Sequence, residues 1–127
     1  MITPSILVLE DDDVLRMLLV EIIEDMGAIV IAYASADDGL IFLERSASQL
    51  SLIVSDINMP GVLDGHELST LVTRRWPSLP MILTSGKVHR LPDIGPNIRF
   101  IPKPWVDDAM LNCVQSFLSH SRNDASH

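Results

Sequence analysis

Ile6-Leu7-Val8-Leu9-Glu10-Asp11-Asp12-Asp13 sets four apolar residues directly before four carboxylates. An unbroken apolar run of this length, followed by charge, reads as a strand buried on both faces. Four adjacent carboxylates repel one another, so a fold that gathers them at one point has reason to hold a cation there. The construction recurs at Leu52-Ile53-Val54-Ser55-Asp56. Two buried strands that each end in carboxylate build an anionic pocket at one edge of a sheet. The function belongs in that pocket.

Working outward, apolar runs alternate with helical patterns. Val14, Leu15, Leu18, Leu19, Ile22, Ile23 and Met26 follow helical spacing, which predicts a helix over 13–26 stopped by Gly27. Residues 28–34 read as a second strand. Ser35 is placed to cap a helix over 36–46. Residues 50–55 give a third strand, and after a loop a helix runs to about residue 76, where Pro77 ends it. Strands follow at 81–84 and 98–101, and a last helix ends near residue 119. Between those two strands, residues 86–97 carry Pro92, Gly95 and Pro96 and have room for a turn or two of helix at most. Five strands with intervening helices imply an α/β fold with a single parallel sheet and right-handed crossovers. Residues 1–120 are expected to form one domain and 121–127 a short disordered tail.

Composition excludes several classes. Seventeen acidic residues against nine basic give a formal net charge of −8. That disfavours direct nucleic-acid binding, which relies on Lys and Arg to neutralise phosphates, and docking on anionic lipid. The apolar runs are strand-sized, well short of the ~20 residues of a membrane span. Residues 1–5 have no secretion-signal pattern, and the one cysteine, Cys113, suits a reducing compartment, so a cytoplasmic location is expected. Cys113 shares a helical face with Met110, Val114 and Phe117 and reads as a packing residue.

In open parallel sheets, ligands bind beyond the carboxyl ends of the strands. Those ends carry Glu10 and Asp11, then Asp56, then Thr84-Ser85-Gly86, then Pro102-Lys103-Pro104. Hard oxygen ligands on neighbouring strands suit Mg2+, which takes few protein carboxylates and keeps several waters. A carboxylate beside such an ion can attack a phosphoryl group to give an aspartyl-phosphate. The transferring group needs its oxygens neutralised, which a metal and a Lys supply. Asp12 and Asp13, by contrast, suit the start of a helix, where the dipole favours acid.

Taken together, Glu10-Asp11, Asp56-Ile57-Asn58-Met59-Pro60-Gly61 with Asp64-Gly65, Thr84-Ser85-Gly86 and Lys103-Pro104 resemble the motifs of response-regulator receiver domains of two-component signalling. The resemblance spans residues 5–118, with the motifs in the family's order. It implies a doubly wound, flavodoxin-like sheet of strand order 2-1-3-4-5. It implies Asp56 as phosphoacceptor, Asp11, Asp56 and the Asn58 backbone carbonyl as Mg2+ ligands, and Glu10 acting on the ion through water. Thr84 becomes the switch hydroxyl, Phe100 the switch aromatic, and Lys103 the partner of the phosphoryl group or, before phosphorylation, of Asp56. A cis Lys103-Pro104 bond is expected.

Three departures from the family pattern stand out. The loop 61–65 is one residue longer than the commonest form. The 86–97 segment implies a short or degenerate fourth helix. No effector domain is expected to follow, which would make the chain a stand-alone regulator or phosphorelay intermediate. Its partners would be a histidine kinase or histidine phosphotransfer protein and an unknown downstream protein, with a homodimer formed on phosphorylation as a further option. A non-enzymatic phosphoacceptor switch is therefore the leading expectation. The alternatives are a receiver-like adaptor that no longer cycles, and an aspartyl-phosphate hydrolase built on Asp11 and Asp13.

Overall fold

The computed structural model describes residues 3–86, 96–104 and 107–125. Five strands form the sheet: β1 (Ser5–Leu9), β2 (Ile29–Tyr33), β3 (Leu52–Asp56), β4 (Met81–Ser85) and β5 (Ile98–Pro102). All pairings are parallel and the order is β2-β1-β3-β4-β5. The helices are α1 (Asp13–Glu24), α2 (Ala36–Ser46), α3 (Gly65–Arg75) and α4 (Asp107–Ala125). The short fourth helix expected between β4 and β5 falls largely on 87–95, outside the described residues.

Strand side chains alternate between faces, and the two halves of the core follow that period of two. Leu7, Leu9, Ile53, Met81 and Leu83 pack with Ala36 and Leu43 of α2 and with Leu68 and Val72 of α3. Ile6, Val8, Leu52, Val54 and Ile82 face the other way, onto Leu19 and Ile23 of α1 and Met110 and Val114 of α4. Both faces of the central strands are thus covered, which is why β1, β3 and β4 read as continuous apolar runs. Full burial of each such side chain contributes about 1.5–3 kcal/mol relative to exposure.

Element ends differ from the sequence pattern in physically readable ways. Helix α1 stops at Glu24, because Asp25-Met26-Gly27 turn back on it: Gly27 has φ +91° and donates to the Glu24 carbonyl at 2.9 Å. Strand β3 begins at Leu52 rather than residue 50, since a 3-10 turn over Ala47–Gln49 takes the Leu50 N–H. Helix α4 continues to Ala125, beyond residue 119 and into the stretch expected as a tail. Its sequence holds neither Pro nor Gly to stop it. No described helix is long and apolar enough to cross a membrane.

The chain runs from β1 outward to β2, then crosses back to β3 on the other side of β1. The strand order reverses between β1 and β3, and their carboxyl ends open a crevice there. Glu10-Asp11 and Asp56 stand at that crevice.

Candidate phosphoacceptor site

Each residue of the acidic run has a distinct environment. Glu10 is 1% exposed and fixed on several sides. Its N–H donates to the Tyr33 carbonyl at 3.2 Å, and its own carbonyl accepts from Arg16 Nη1 at 2.9 Å. Its carboxylate accepts from Lys103 Nζ at 2.7 Å through Oε1 and from the Asp12 N–H at 3.2 Å through Oε2. Asp11 is exposed at the mouth of the crevice. Asp12 is the N-cap of α1 and accepts from the Val14 and Leu15 N–H groups, both at 3.0 Å. Asp13 pairs with Arg16 at 2.6 Å on the exposed first turn. The run therefore splits as its chemistry suggests, Glu10 and Asp11 at the pocket and Asp12 and Asp13 at the helix.

Asp56 ends β3, 6% exposed and in register with Thr84 on β4. The next residue keeps the pairing going, since the Ile57 N–H donates to the Thr84 carbonyl at 2.8 Å. Helix α3 begins close beneath: a Cβ on Gly65 would collide with the Asp56 carbonyl oxygen, so glycine is required by the approach of the two backbones. Thr84 and Ser85 are both buried. The Asn58 amide donates to Ser85 Oγ at 2.8 Å, joining the β3 loop to the end of β4.

Lys103 follows β5, its N–H donating to the Ser85 carbonyl at 2.8 Å, and its bond to Pro104 is cis, as expected. Its Nζ lies 2.7 Å from Glu10 Oε1 and 3.3 Å from Asp56 Oδ2. The ammonium is thus shared between both carboxylates, with Glu10 the nearer partner. Phe100 is half-buried on the α2 and α3 side of the sheet, opposite Leu83 in the ladder.

Glu10, Asp11 and Asp56 can each bring a carboxylate oxygen to within 4.8 Å of the others. Three carboxylates against one ammonium leave an excess of two negative charges, which one divalent cation would match. This donor set fits Mg2+: hard oxygens, few in number, with Asp11 open to solvent on one side. Burial pushes the Glu10 carboxyl above the usual range, outweighing its hydrogen bonds with Lys103 and Asp12, and the Asp56 charge adds to the rise. Burial pulls the Lys103 ammonium the other way, but its hydrogen bond to Glu10 and the Asp56 and Glu10 charges prevail and leave it raised.

Two contacts had no signal in the sequence. Arg16 reads as a surface residue of α1, yet it reaches back six positions to the Glu10 carbonyl. Asp37 reads as an ordinary acid in the first turn of α2, yet it binds the loop after β3, 25 and 26 residues away. Neither spacing follows a strand or helix repeat, so no periodicity could reveal it.

The family model for the response regulator receiver domain matches residues 6–115. The chain is 36% identical over 114 residues to the response regulator protein FleR of Pseudomonas aeruginosa, which covers 87% of this chain and 24% of FleR. It is 34% identical over 114 residues to the C4-dicarboxylate transport transcriptional regulatory protein DctD of Rhizobium meliloti, covering 85% of this chain and 24% of that protein. The chain thus spans about a quarter of the length of these relatives. Among solved structures, a CheY-like receiver domain protein from Methanospirillum hungatei shares the fold with a TM-score of 0.86 at 23% identity, covering 97% of this chain and 99% of that one. The receiver domain of the hybrid histidine kinase CckA aligns with a TM-score of 0.77 at 27% identity, covering 90% and 98%. With its motifs, fold and pocket all in agreement, this chain belongs to the response-regulator receiver-domain family of two-component signalling.

Proposed function

We propose that Asp56 accepts a phosphoryl group from a histidine kinase or histidine phosphotransfer protein, and that a downstream partner reads the change. The observation that carries this is the placing of one buried carboxylate, Asp56, within reach of Lys103 and of the Glu10 and Asp11 carboxylates. In the transfer, an Asp56 carboxylate oxygen attacks phosphorus. The new P–O bond forms as the P–N bond to the donor histidine breaks, and the imidazole nitrogen leaves with the electron pair.

Asp11, Asp56 and the Asn58 backbone carbonyl would hold Mg2+, with Glu10 acting through water, and the bound ion would neutralise phosphoryl oxygens. Lys103 supplies the protein's own positive charge at the same place. Thr84 lies in β4 directly beside Asp56 and would donate its hydroxyl to a phosphoryl oxygen. Its neighbour in the ladder is Ile101; Phe100, one residue earlier, turns to the opposite face of the sheet, so movement at Thr84 would reach that ring through the β5 backbone. Phe100 would answer by changing rotamer. Having no hydroxyl, it would signal through shape alone.

We assign the receiver domain to a unit that includes the whole of α4, acting in the cytoplasm as a regulator or relay intermediate, with a homodimer formed on phosphorylation as one output. The hydrolase alternative is disfavoured because Asp13 is engaged by Arg16 at the surface of α1. Titration with beryllofluoride and Mg2+ tests the reading by amide NMR. Shifts should appear around Asp56, Thr84 and Lys103, and no change at saturation would remove it.

A further inference from the structure

The loop between β3 and α3 is one residue longer than the family's commonest form, and the structure ties it to a distant element. Asp37 lies in the first turn of α2. Its Oδ2 accepts the Val62 N–H at 2.9 Å and its Oδ1 accepts the Leu63 N–H at 3.0 Å. Gly61 packs against the same carboxylate with φ +117°, and a Cβ there would collide with Oδ2. The remaining length of the loop is pinned elsewhere. The Gly65 N–H donates to the Ile57 carbonyl at 2.8 Å, and Asp64 and Glu67 form a reciprocal capping box at the start of α3. Near the pocket, the Asn58 amide donates to Ser85 Oγ.

We infer that Asp37 is a positioning residue of the phosphoacceptor site: its carboxylate clamps the middle of the 57–64 loop and so presets the Asn58 carbonyl for the cation. This rests on the phosphoacceptor reading above. A carboxylate that accepts two backbone N–H groups makes stronger bonds than a neutral acceptor would. A loop ordered in advance does not draw its ordering cost from the affinity of whatever binds it. The chemistry also predicts a graded series. Asn at position 37 keeps one acceptor oxygen and turns an NH2 toward the second N–H, whereas Ala keeps neither.

The test is Mg2+ titration of the full chain, read by amide NMR, for wild type, Asp37→Ala, Asp37→Asn and Gly61→Ala. Asp37→Ala should weaken Mg2+ about tenfold and Asp37→Asn about threefold. In metal-free Asp37→Ala, the Val62 and Leu63 amides should lose protection from hydrogen exchange. Gly61→Ala attacks the clamp from the loop side, so the Asp37→Ala/Gly61→Ala double variant should bind Mg2+ no more weakly than the worse single variant. If the Asp37 variants unfold earlier but bind Mg2+ like wild type once folded, the residue serves the fold alone and the inference is overturned. Losses that add in the double variant overturn it too. A wild-type chain that binds no Mg2+ overturns instead the function on which the inference rests, while the exchange data still report the clamp contact itself.

Discussion

Lys103 Nζ sits closer to Glu10 Oε1, at 2.7 Å, than to Asp56 Oδ2, at 3.3 Å. The acid after β1 is a Glu, whose carboxylate reaches across the crevice to the ammonium. Lys103 therefore bridges β1 and β3 through side chains, though neither strand is the sheet neighbour of β5. A phosphoryl group on Asp56 would compete with Glu10 for this one cation. Such competition would make phosphorylation of Asp56 felt at the end of β1.

Lys103→Met should leave two buried carboxylates facing each other without a counter-charge. Loss of one partner of a buried pair typically costs about 3–5 kcal/mol. Urea unfolding without metal should show a loss of that order, and saturating Mg2+ should recover part of it. An unchanged midpoint in metal-free buffer would mean that the bridge contributes nothing.

The pH response should have two parts of opposite cause. Glu10 titrates above its unfolded value, so its ionised form costs stability at neutral pH, and this cost is relieved as pH falls through the raised value. Relative to Glu10→Gln, metal-free wild type should therefore gain stability in mild acid. Lys103 is raised as well, so its contribution is complete below the ordinary lysine value and is lost as pH rises through the folded one. Relative to Lys103→Met, wild type should lose its advantage only in strong alkali. Thermal melts across pH, wild type against each variant, read both slopes.

Asp11→Ala and Asp12→Ala should separate the two halves of the acidic run. Asp12 caps α1 through two backbone N–H groups, and its loss should cost about 1 kcal/mol of stability with little change in Mg2+ affinity. Asp11 is exposed and has a place in the carboxylate cluster, so its loss should weaken Mg2+ with little effect on stability. Calorimetric titration paired with urea unfolding distinguishes the two.

Thr84→Ala should uncouple the site from its surroundings. Thr84 is buried and in register with both Asp56 and Ile101. The variant should still bind beryllofluoride with Mg2+, with shifts at Asp56 retained and those at Phe100 lost. Full retention at Phe100 would place the coupling elsewhere.

The centre of the sheet was legible because β1, β3 and β4 are buried on both faces and so spell unbroken apolar runs, as in residues 6–9 and 52–54. The shared edge was legible for a related reason: parallel strands bring their last or following residues to one edge, so Glu10, Asp56, Thr84 and Lys103 could be set side by side from sequence position alone. Strand and helix ends were less so, because β3 and α1 are trimmed by turns whose hydrogen bonds involve Ala47 and Glu24. The Asp37 clamp was invisible, since it depends on how α2 and the β3 loop meet across the top of the sheet. Long-range side-chain contacts leave no period in a sequence.

The most direct test of Asp56 as the reacting group is intact-mass measurement after incubation with a small-molecule phosphodonor and Mg2+, comparing wild type with Asp56→Asn. Wild type should gain one phosphoryl group, labile to alkali as an acyl phosphate is, and Asp56→Asn should gain none. Equal labelling of the two proteins would contradict the account.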